Sequence, residues 1–77
     1  ITRIAYDLPT KARTSLRVFD VSGRLVRVLV NGVVPAGRHS VVWDGRDSGG
    51  SRVASGVYLV RLHAGGETAS REIVRVK

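Results

Sequence analysis

The chain has 77 residues, which is enough for one small domain but too short for a catalytic cleft between two domains. It contains no cysteine, so a disulfide and a thiolate metal site are excluded, and its apolar runs are far shorter than the ~20 residues of a membrane-spanning helix. The formal net charge of +7 makes anionic partners the first class to consider.

Short stretches of alternating apolar and polar residues predict β-strands with one buried face. Turn residues between these stretches place strands at 2–8, 15–20, 25–30, 38–43, 57–63 and 68–76. A short edge strand near residues 52–53 would bring the number to seven, and no stretch has helical periodicity. The predicted fold class is therefore all-β, an antiparallel immunoglobulin-like or fibronectin-III-like β-sandwich of about seven short strands.

The alternation also assigns side chains to faces. The predicted inward residues are Ile4, Tyr6, Leu8, Leu16, Val18, Val41, Trp43, Tyr58, Val60 and Leu62. Phe19 falls on the face opposite Leu16 and Val18, so we expect it to cover a sheet edge or to contact a neighbouring domain.

Turn chemistry is clearest at residues 20–24, where Asp20 and Ser22 offer side-chain acceptors and Gly23 suits a left-handed conformation. A loop is predicted over residues 31–37, which contain two further turn signals. Two consecutive glycines before the last strand predict the final hairpin turn.

The stretch 43–58 is predicted to organise the fold, because it has an aromatic residue at each end and four of the nine glycines between them. Its glycines permit a tight reversal, and Asp44 and Asp47 can accept hydrogen bonds from nearby amides. Trp43 and Tyr58 lie on the inward face of apolar strands. We therefore predict that both rings are buried in one core and do not form a platform for carbohydrate.

Three patterns resemble reactive sites. Asp47-Ser48-Gly49-Gly50 resembles the segment around the nucleophile of trypsin-like serine proteases, but the available bases, His39 and His63, lie on predicted strands. The two histidines have no cysteine or carboxylate cluster to complete a metal set. Asp44 and Asp47 leave a calcium loop open as an alternative to bonding within the turn, although the spacing of a helix-loop-helix calcium motif is missing. We predict no enzyme activity, no metal and no cofactor.

The basic residues are eleven Arg and two Lys, and the arginines of the strands occur singly between apolar residues. These are Arg3, Arg17, Arg27, Arg61, Arg71 and Arg75. Such alternation is typical of the solvent-facing side of a half-buried sheet. We therefore predict no specific nucleic-acid site and no more than a weak attraction to polyanions.

Five segments, in this order, resemble the small immunoglobulin-like modules at the C-termini of secreted bacterial proteins. The segments are Tyr6-Asp7-Leu8-Pro9, residues 18–26, Ala36-Gly37-Arg38-His39, Trp43-Asp44-Gly45-Arg46-Asp47 and Ser55-Gly56-Val57-Tyr58. Two related families share the pattern: the immunoglobulin-like domain named after the flagellar hook-capping protein, and the C-terminal sorting domain of the type IX secretion system. Residues 43–47 with the long loop are more similar to the first family, and the ending at 73–77 is more similar to the second.

The resemblance implies two sets of site residues. The structural motif positions are Asp20, Gly23, Arg24, Gly37, Trp43, Asp44, Gly45, Arg46, Asp47, Gly56 and Tyr58. The sorting or edge-strand positions are Ile73, Val74, Arg75, Val76 and Lys77. We expect residues 1–77 to form a single module from the C-terminus of a larger protein that is secreted or lies at the cell surface.

The function that the resemblance implies is that of a non-enzymatic accessory module, acting in C-terminal sorting, export and surface attachment. One alternative is a structural or self-assembling domain, such as a hook cap or an extracellular filament subunit. Another is a polysaccharide- or polyanion-binding module. The expected partners are proteins: secretion machinery, domains of the parent protein, or further copies that pair through strand edges. The final strand is the expected edge, although Arg71 and Arg75 would oppose self-pairing.

Overall fold

The computed structural model describes residues 1–76, which form six strands in two antiparallel sheets. The strands are β1 (Thr2–Leu8), β2 (Ala12–Asp20), β3 (Leu25–Val34), β4 (Gly37–Trp43), β5 (Gly56–Ala64) and β6 (Glu67–Arg75). One sheet has the order β1-β4, and the other has the order β3-β2-β5-β6. This part of the chain holds no helix long and apolar enough to cross a membrane. The predicted all-β sandwich is confirmed.

Residues 1–76 form six strands, one fewer than the approximate number predicted. The expected edge strand near residues 52–53 is a single bridge between Arg46 and Arg52. The carboxylate of Asp47 accepts the amides of two later loop residues at 3.0 Å each. Because the loop satisfies these amides locally, it has less need of a strand partner.

The predicted loop over residues 31–37 was wrong for residues 31–34, because β3 continues to Val34 and leaves just Pro35 and Ala36 before β4. β2 begins at Ala12, earlier than expected, and its first residues pair with residues 31–34 of β3. A backbone that gains a complete ladder of hydrogen bonds overrides the local turn preference of its residues.

The core lies between the two sheets, and Trp43 meets Tyr58 at one end of it. The side chain of Trp43 is 0% exposed, and the two rings pack edge to face with centroids 5.3 Å apart and planes at 66°. Nε1 of Trp43 donates to the Arg46 carbonyl at 3.0 Å, and the hydroxyl of Tyr58 donates to the Ala54 carbonyl at 2.6 Å. The predicted burial of both rings is confirmed, and the polar atom of each ring is satisfied.

The other predicted inward residues also face the core. Those that are buried are Ile4, Leu8, Leu16, Val18 and Val60, and those that are half-buried are Tyr6, Val41 and Leu62. Phe19 lies on the outer face of the larger sheet, as predicted from the alternation. It is half-buried there, and the guanidinium carbon of Arg61 lies 4.9 Å from the centre of its ring.

The turn between β2 and β3 has the predicted chemistry. Oδ1 of Asp20 accepts the hydroxyl of Ser22 at 2.6 Å, the amide of Ser22 at 3.0 Å and the amide of Arg24 at 3.0 Å. Gly23 takes the left-handed position with φ of 87°. These bonds lower the pKa of Asp20, first through the Ser22 hydroxyl and then through the amide of Arg24.

This lowered pKa predicts an acid-dependent loss of stability. The ionised carboxylate is the better acceptor, so Asp20 contributes stability that is present above its unfolded-state pKa of about 4 and is lost as the pH falls through its folded-state pKa. In urea unfolding at a series of pH values, wild type should therefore lose stability relative to Asp20→Asn below about pH 4. The control is Asp7→Asn, in which the lost carboxylate makes a long contact of 3.4 Å to Arg38. Parallel pH curves for wild type and Asp20→Asn would contradict the prediction.

Candidate functional site

The two aspartates of the long loop hold its backbone in place. Oδ1 of Asp44 accepts the amide of Arg46 at 3.0 Å, and Oδ1 of Asp47 accepts the amides of Gly49 and Ser51. One carboxylate oxygen of each aspartate is therefore engaged with backbone amides. Residues 1–76 contain no group of three or more His, Cys, Asp or Glu side chains that could hold a metal ion. Nothing in this region supports the calcium alternative.

Two side chains that the sequence did not indicate, those of Arg27 and Ser48, connect this loop to β3. Nη1 of Arg27 lies 3.4 Å from Oδ1 of Asp44 and 3.4 Å from the carbonyl oxygen of Arg46. The amide and the hydroxyl of Ser48 both donate to the carbonyl of Val26, at 3.1 and 3.3 Å. These partners are 17 to 22 positions apart in the chain, so no local pattern could have identified them.

The serine and histidines of the protease-like pattern are not brought together. The hydroxyl of Ser48 is engaged with β3, as described above. Nε2 of His39 lies 2.7 Å from the carbonyl oxygen of Pro35, in the smaller sheet. Nδ1 of His63 lies 2.8 Å from Oγ1 of Thr68, in the larger sheet. The geometry of a nucleophile and its base is absent among these three side chains.

The remaining motif residues lie in a turn or at the start of a strand. Asp20, Gly23 and Arg24 belong to the turn between β2 and β3, while Gly37 begins β4 and Gly56 begins β5. Both of these last two glycines have positive φ angles, 124° and 152°. All five positions therefore shape the backbone where the chain reverses.

The guanidinium of Arg75 covers one end of the core, and this position corrects the solvent-facing assignment made from the alternation. Ile73 pairs with Tyr58, so Arg75, two residues later, lies on the same inner face. Its guanidinium carbon is 5.9 Å from the centre of the Trp43 ring. Gly45, which is buried with φ of 77°, lies directly beneath, where a Cβ atom would overlap the guanidinium. Glycine at position 45 thus permits both the turn and the close approach.

The predicted sorting segment is divided between the core and the surface. Ile73 packs against the core and Arg75 is half-buried over it. Val74 and Val76 are 68% and 78% exposed. Lys77, the last residue of that prediction, lies outside the described residues.

The last strand, β6, is an edge strand, as predicted. It pairs with β5 on one side, and β1 pairs with β4 in the other sheet, so each presents an open side. A groove of about 390 Å³ lies between these two strands. Its apolar lining comes from Ile4, Tyr6, Leu16, Val60, Leu62, Ala69 and Ile73. Arg71 also lines it, because it pairs with the buried Val60, so the assignment of Arg71 to the solvent-facing side was wrong. Burial raises the pKa of Tyr6, which agrees with its partly enclosed position on this side of the sandwich.

Comparison with known proteins gives consistent matches. Residues 1–68 match the family model of the FlgD Ig-like domain. The basal-body rod modification protein FlgD of Salmonella typhimurium is 35% identical over 52 residues, which are 68% of this chain and 22% of that protein, and FlgD of Salmonella typhi matches to the same extent. The crystal structure of FlgD from P. aeruginosa superposes with a TM-score of 0.72 at 27% identity, covering 91% of this chain and 57% of that chain.

These matches separate the two families that the sequence resembles. They support the flagellar hook-capping type of immunoglobulin-like module and give no support to the type IX sorting domain. The chain spans 22% of the length of the curated relatives, so the activity of those whole proteins is not carried over by the match.

The contact between Gly45 and Arg75 predicts a coupled pair of substitutions. Gly45→Ala should cost about 1–2 kcal/mol through its left-handed backbone, with a further cost for displacing the guanidinium. Arg75→Ala should cost about 0.5–1 kcal/mol through the lost cation–π contact. Because either change breaks the same contact, the double variant should be more stable than the sum of the two effects predicts. Urea unfolding followed by the fluorescence of the single tryptophan measures this cycle.

The matched control for this cycle is Gly50→Ala. Gly50 has a similar φ of 88°, but nothing lies within 4 Å of the position that a Cβ would take. Its effect should therefore add to that of Arg75→Ala without coupling. Additive effects in both cycles would show that Arg75 does not cover Gly45 in solution.

Proposed function

The chain belongs to the FlgD Ig-like domain family, and on that basis we propose that it is a non-enzymatic structural module that builds a larger assembly, as a hook-cap scaffold does. Its partner in this role is a further copy of the same module. The observation that carries the proposal is the open side of the sandwich between β1 and β6. A location outside the cell or at its surface is part of the proposal.

The open side follows from the unequal widths of the two sheets. Neighbouring strands are about 4.8 Å apart, so two strands cannot cover the inner face of four. Leu62, on that inner face, is half-buried, and Ala69 beside it is exposed. An added strand could pair with the free backbone of β6 and place alternate side chains on these residues.

The charges of β6 are compatible with pairing between copies. The arginines Arg71 and Arg75 were expected to oppose it, but the same strand also carries Glu67 and Glu72. Two positive and two negative side chains allow antiparallel registers in which glutamate faces arginine. Two copies still repel each other through the net charge of +7 that each whole chain carries. Salt screens this repulsion.

The sorting prediction is not retained as the proposed function. Removal of residues 72–77, which would test a sorting signal, would also remove Ile73 and Arg75 from the core. A failure of export would then follow from misfolding as readily as from a lost signal. The open edge can be tested by substitutions that leave the core intact.

An inward-facing charge on an edge strand is a natural block to strand addition. We predict that the mass of the wild-type module, measured by light scattering at moderate salt, rises with protein concentration. Arg71 already lines this groove, and Ala69→Lys, which adds a second charge beside it, should remain monomeric. Ser70→Lys adds the same charge to the outer face of the same strand, opposite Arg61, and should associate as wild type does.

Circular dichroism and thermal unfolding check that both variants fold. A wild-type module that stays monomeric at all concentrations would refute assembly through copies. An Ala69→Lys module that associates as strongly as wild type would refute the role of this groove.

A further inference from the structure

The outer face of the larger sheet carries two arginines side by side at its centre. β2 and β5 are the two central strands, and their register places Arg17 directly opposite Arg61, with both side chains exposed. Directly opposed residues have Cβ atoms about 4.5–5.5 Å apart, and like charges at this distance destabilise a sheet. Among residues 1–76 neither arginine takes part in an ion pair. The isolated module therefore holds an unfavourable pair of charges that no ion pair within the described residues neutralises.

The residues beside this pair form a shallow depression. On one side Phe19 pairs with Leu59, and the guanidinium carbon of Arg61 lies 4.9 Å from the centre of the Phe19 ring. Stacking through its flat face leaves the N–H groups of a guanidinium free at its rim. On the other side Ser15 pairs with His63, which adds two polar groups. The depression has a volume of about 420 Å³.

The rest of this outer face combines exposed apolar residues with polar ones, among them Arg13, Asn31 and Ser70. The exposed apolar side chains that surround the arginines are Leu25, Val28, Val33, Val57 and Val74. The nearby acidic residue on this face is Glu72, which pairs with Leu59. A protein surface can match a pair of arginines with exposed apolar side chains nearby more closely than a uniform polyanion can.

We propose that this outer face docks an acidic, apolar segment of a different protein. A carboxylate of that segment bridges Arg17 and Arg61, since arginine binds carboxylates through paired N–H groups. Apolar side chains next to the carboxylate pack on Phe19 and Leu25. A nucleic acid or an anionic glycan would neutralise the arginines but leave the nearby apolar side chains exposed to water. A second copy of this chain, with its net charge of +7, brings no excess of carboxylates to neutralise the two arginines at this face.

This docking surface is separate from the groove between β1 and β6. It rests on the register of β2 with β5 and on the exposure of the outer face. The surface is therefore tested by binding at residues 15–19 and 59–63. Assembly through β6 can fail without affecting that result.

The binding test uses a synthetic peptide of alternating glutamate and valine with blocked ends. Two comparison ligands accompany it: the same peptide with glutamine in place of glutamate, and a heparin oligosaccharide. Titration of the isotope-labelled chain, followed by the amide signals in nuclear magnetic resonance spectra, locates the bound residues and gives each Kd. We expect the glutamate peptide to bind at residues 15–19 and 59–63, and more tightly than either comparison ligand.

Arg17→Gln and Arg61→Gln should each weaken binding of the glutamate peptide by about tenfold or more. Arg52→Gln, which removes the same charge from an exposed loop position, should leave the Kd unchanged. Absence of binding by the glutamate peptide, or equal binding by the glutamine peptide, would overturn the proposal. It would also be overturned by equal effects of Arg17→Gln and Arg52→Gln, or by heparin binding more tightly at the same residues.

The unliganded chain provides an independent measurement. If Arg17 is retained for docking at the expense of stability, Arg17→Thr should raise the thermal unfolding midpoint at low salt, and high salt should reduce this gain. Arg3→Thr is the control, because Arg3 is exposed on β1 and faces Val42, with no arginine opposite. A lower midpoint for Arg17→Thr than for wild type would show that Arg17 stabilises the sheet, and would overturn the proposal.

Discussion

The contact between Trp43 and Tyr58 joins the two sheets, and the rest of the sandwich depends on it. Trp43 ends the last strand of the smaller sheet, and Tyr58 lies near the start of a central strand of the larger one. Each ring is also fixed at its polar atom by a carbonyl of the loop between them. A domain of this size has few large side chains to bury, so this one pair both closes the core and sets the path of the loop.

The need to fasten that loop accounts for most of the residues that look reactive in the sequence. Asp44 and Asp47 accept backbone amides, and Ser48 is bonded to the backbone of β3. Arg75, which was expected to help partners recognise the chain, instead covers the indole and Gly45. The polar groups at this end of the molecule thus serve the fold. The surfaces open to partners lie elsewhere.

Two kinds of surface remain, and they differ in chemistry. The side between β1 and β6 offers free backbone groups next to an apolar groove, which is suited to an added strand. The outer face of the larger sheet offers side chains for contact, with Arg17 and Arg61 at its centre and exposed apolar residues nearby. A structural module can contact two different partners through these two surfaces, because the core between the surfaces does not change. Membership of the FlgD Ig-like domain family is consistent with such a role.

The sequence by itself determined the fold class, the inner faces and the main turns. Ile4, Trp43 and Tyr58 were assigned to the core because the alternation of side chains along a strand is a local property. The Asp20 turn was predictable for the same reason, since its hydrogen bonds span at most four residues. Resemblance alone did not separate the hook-capping family from the sorting family, because their shared motifs are turn and core residues.

The tertiary structure decided everything that depends on which strands pair, and in what register. It extended β3 through residues 31–34, turned Arg75 inward, and set Arg17 opposite Arg61. Pairing brings together residues that are far apart in the chain. The alternation of residues along one strand therefore does not show which residues of another strand lie beside it. A shift of one residue in register would have moved each of these side chains to the other face of its sheet.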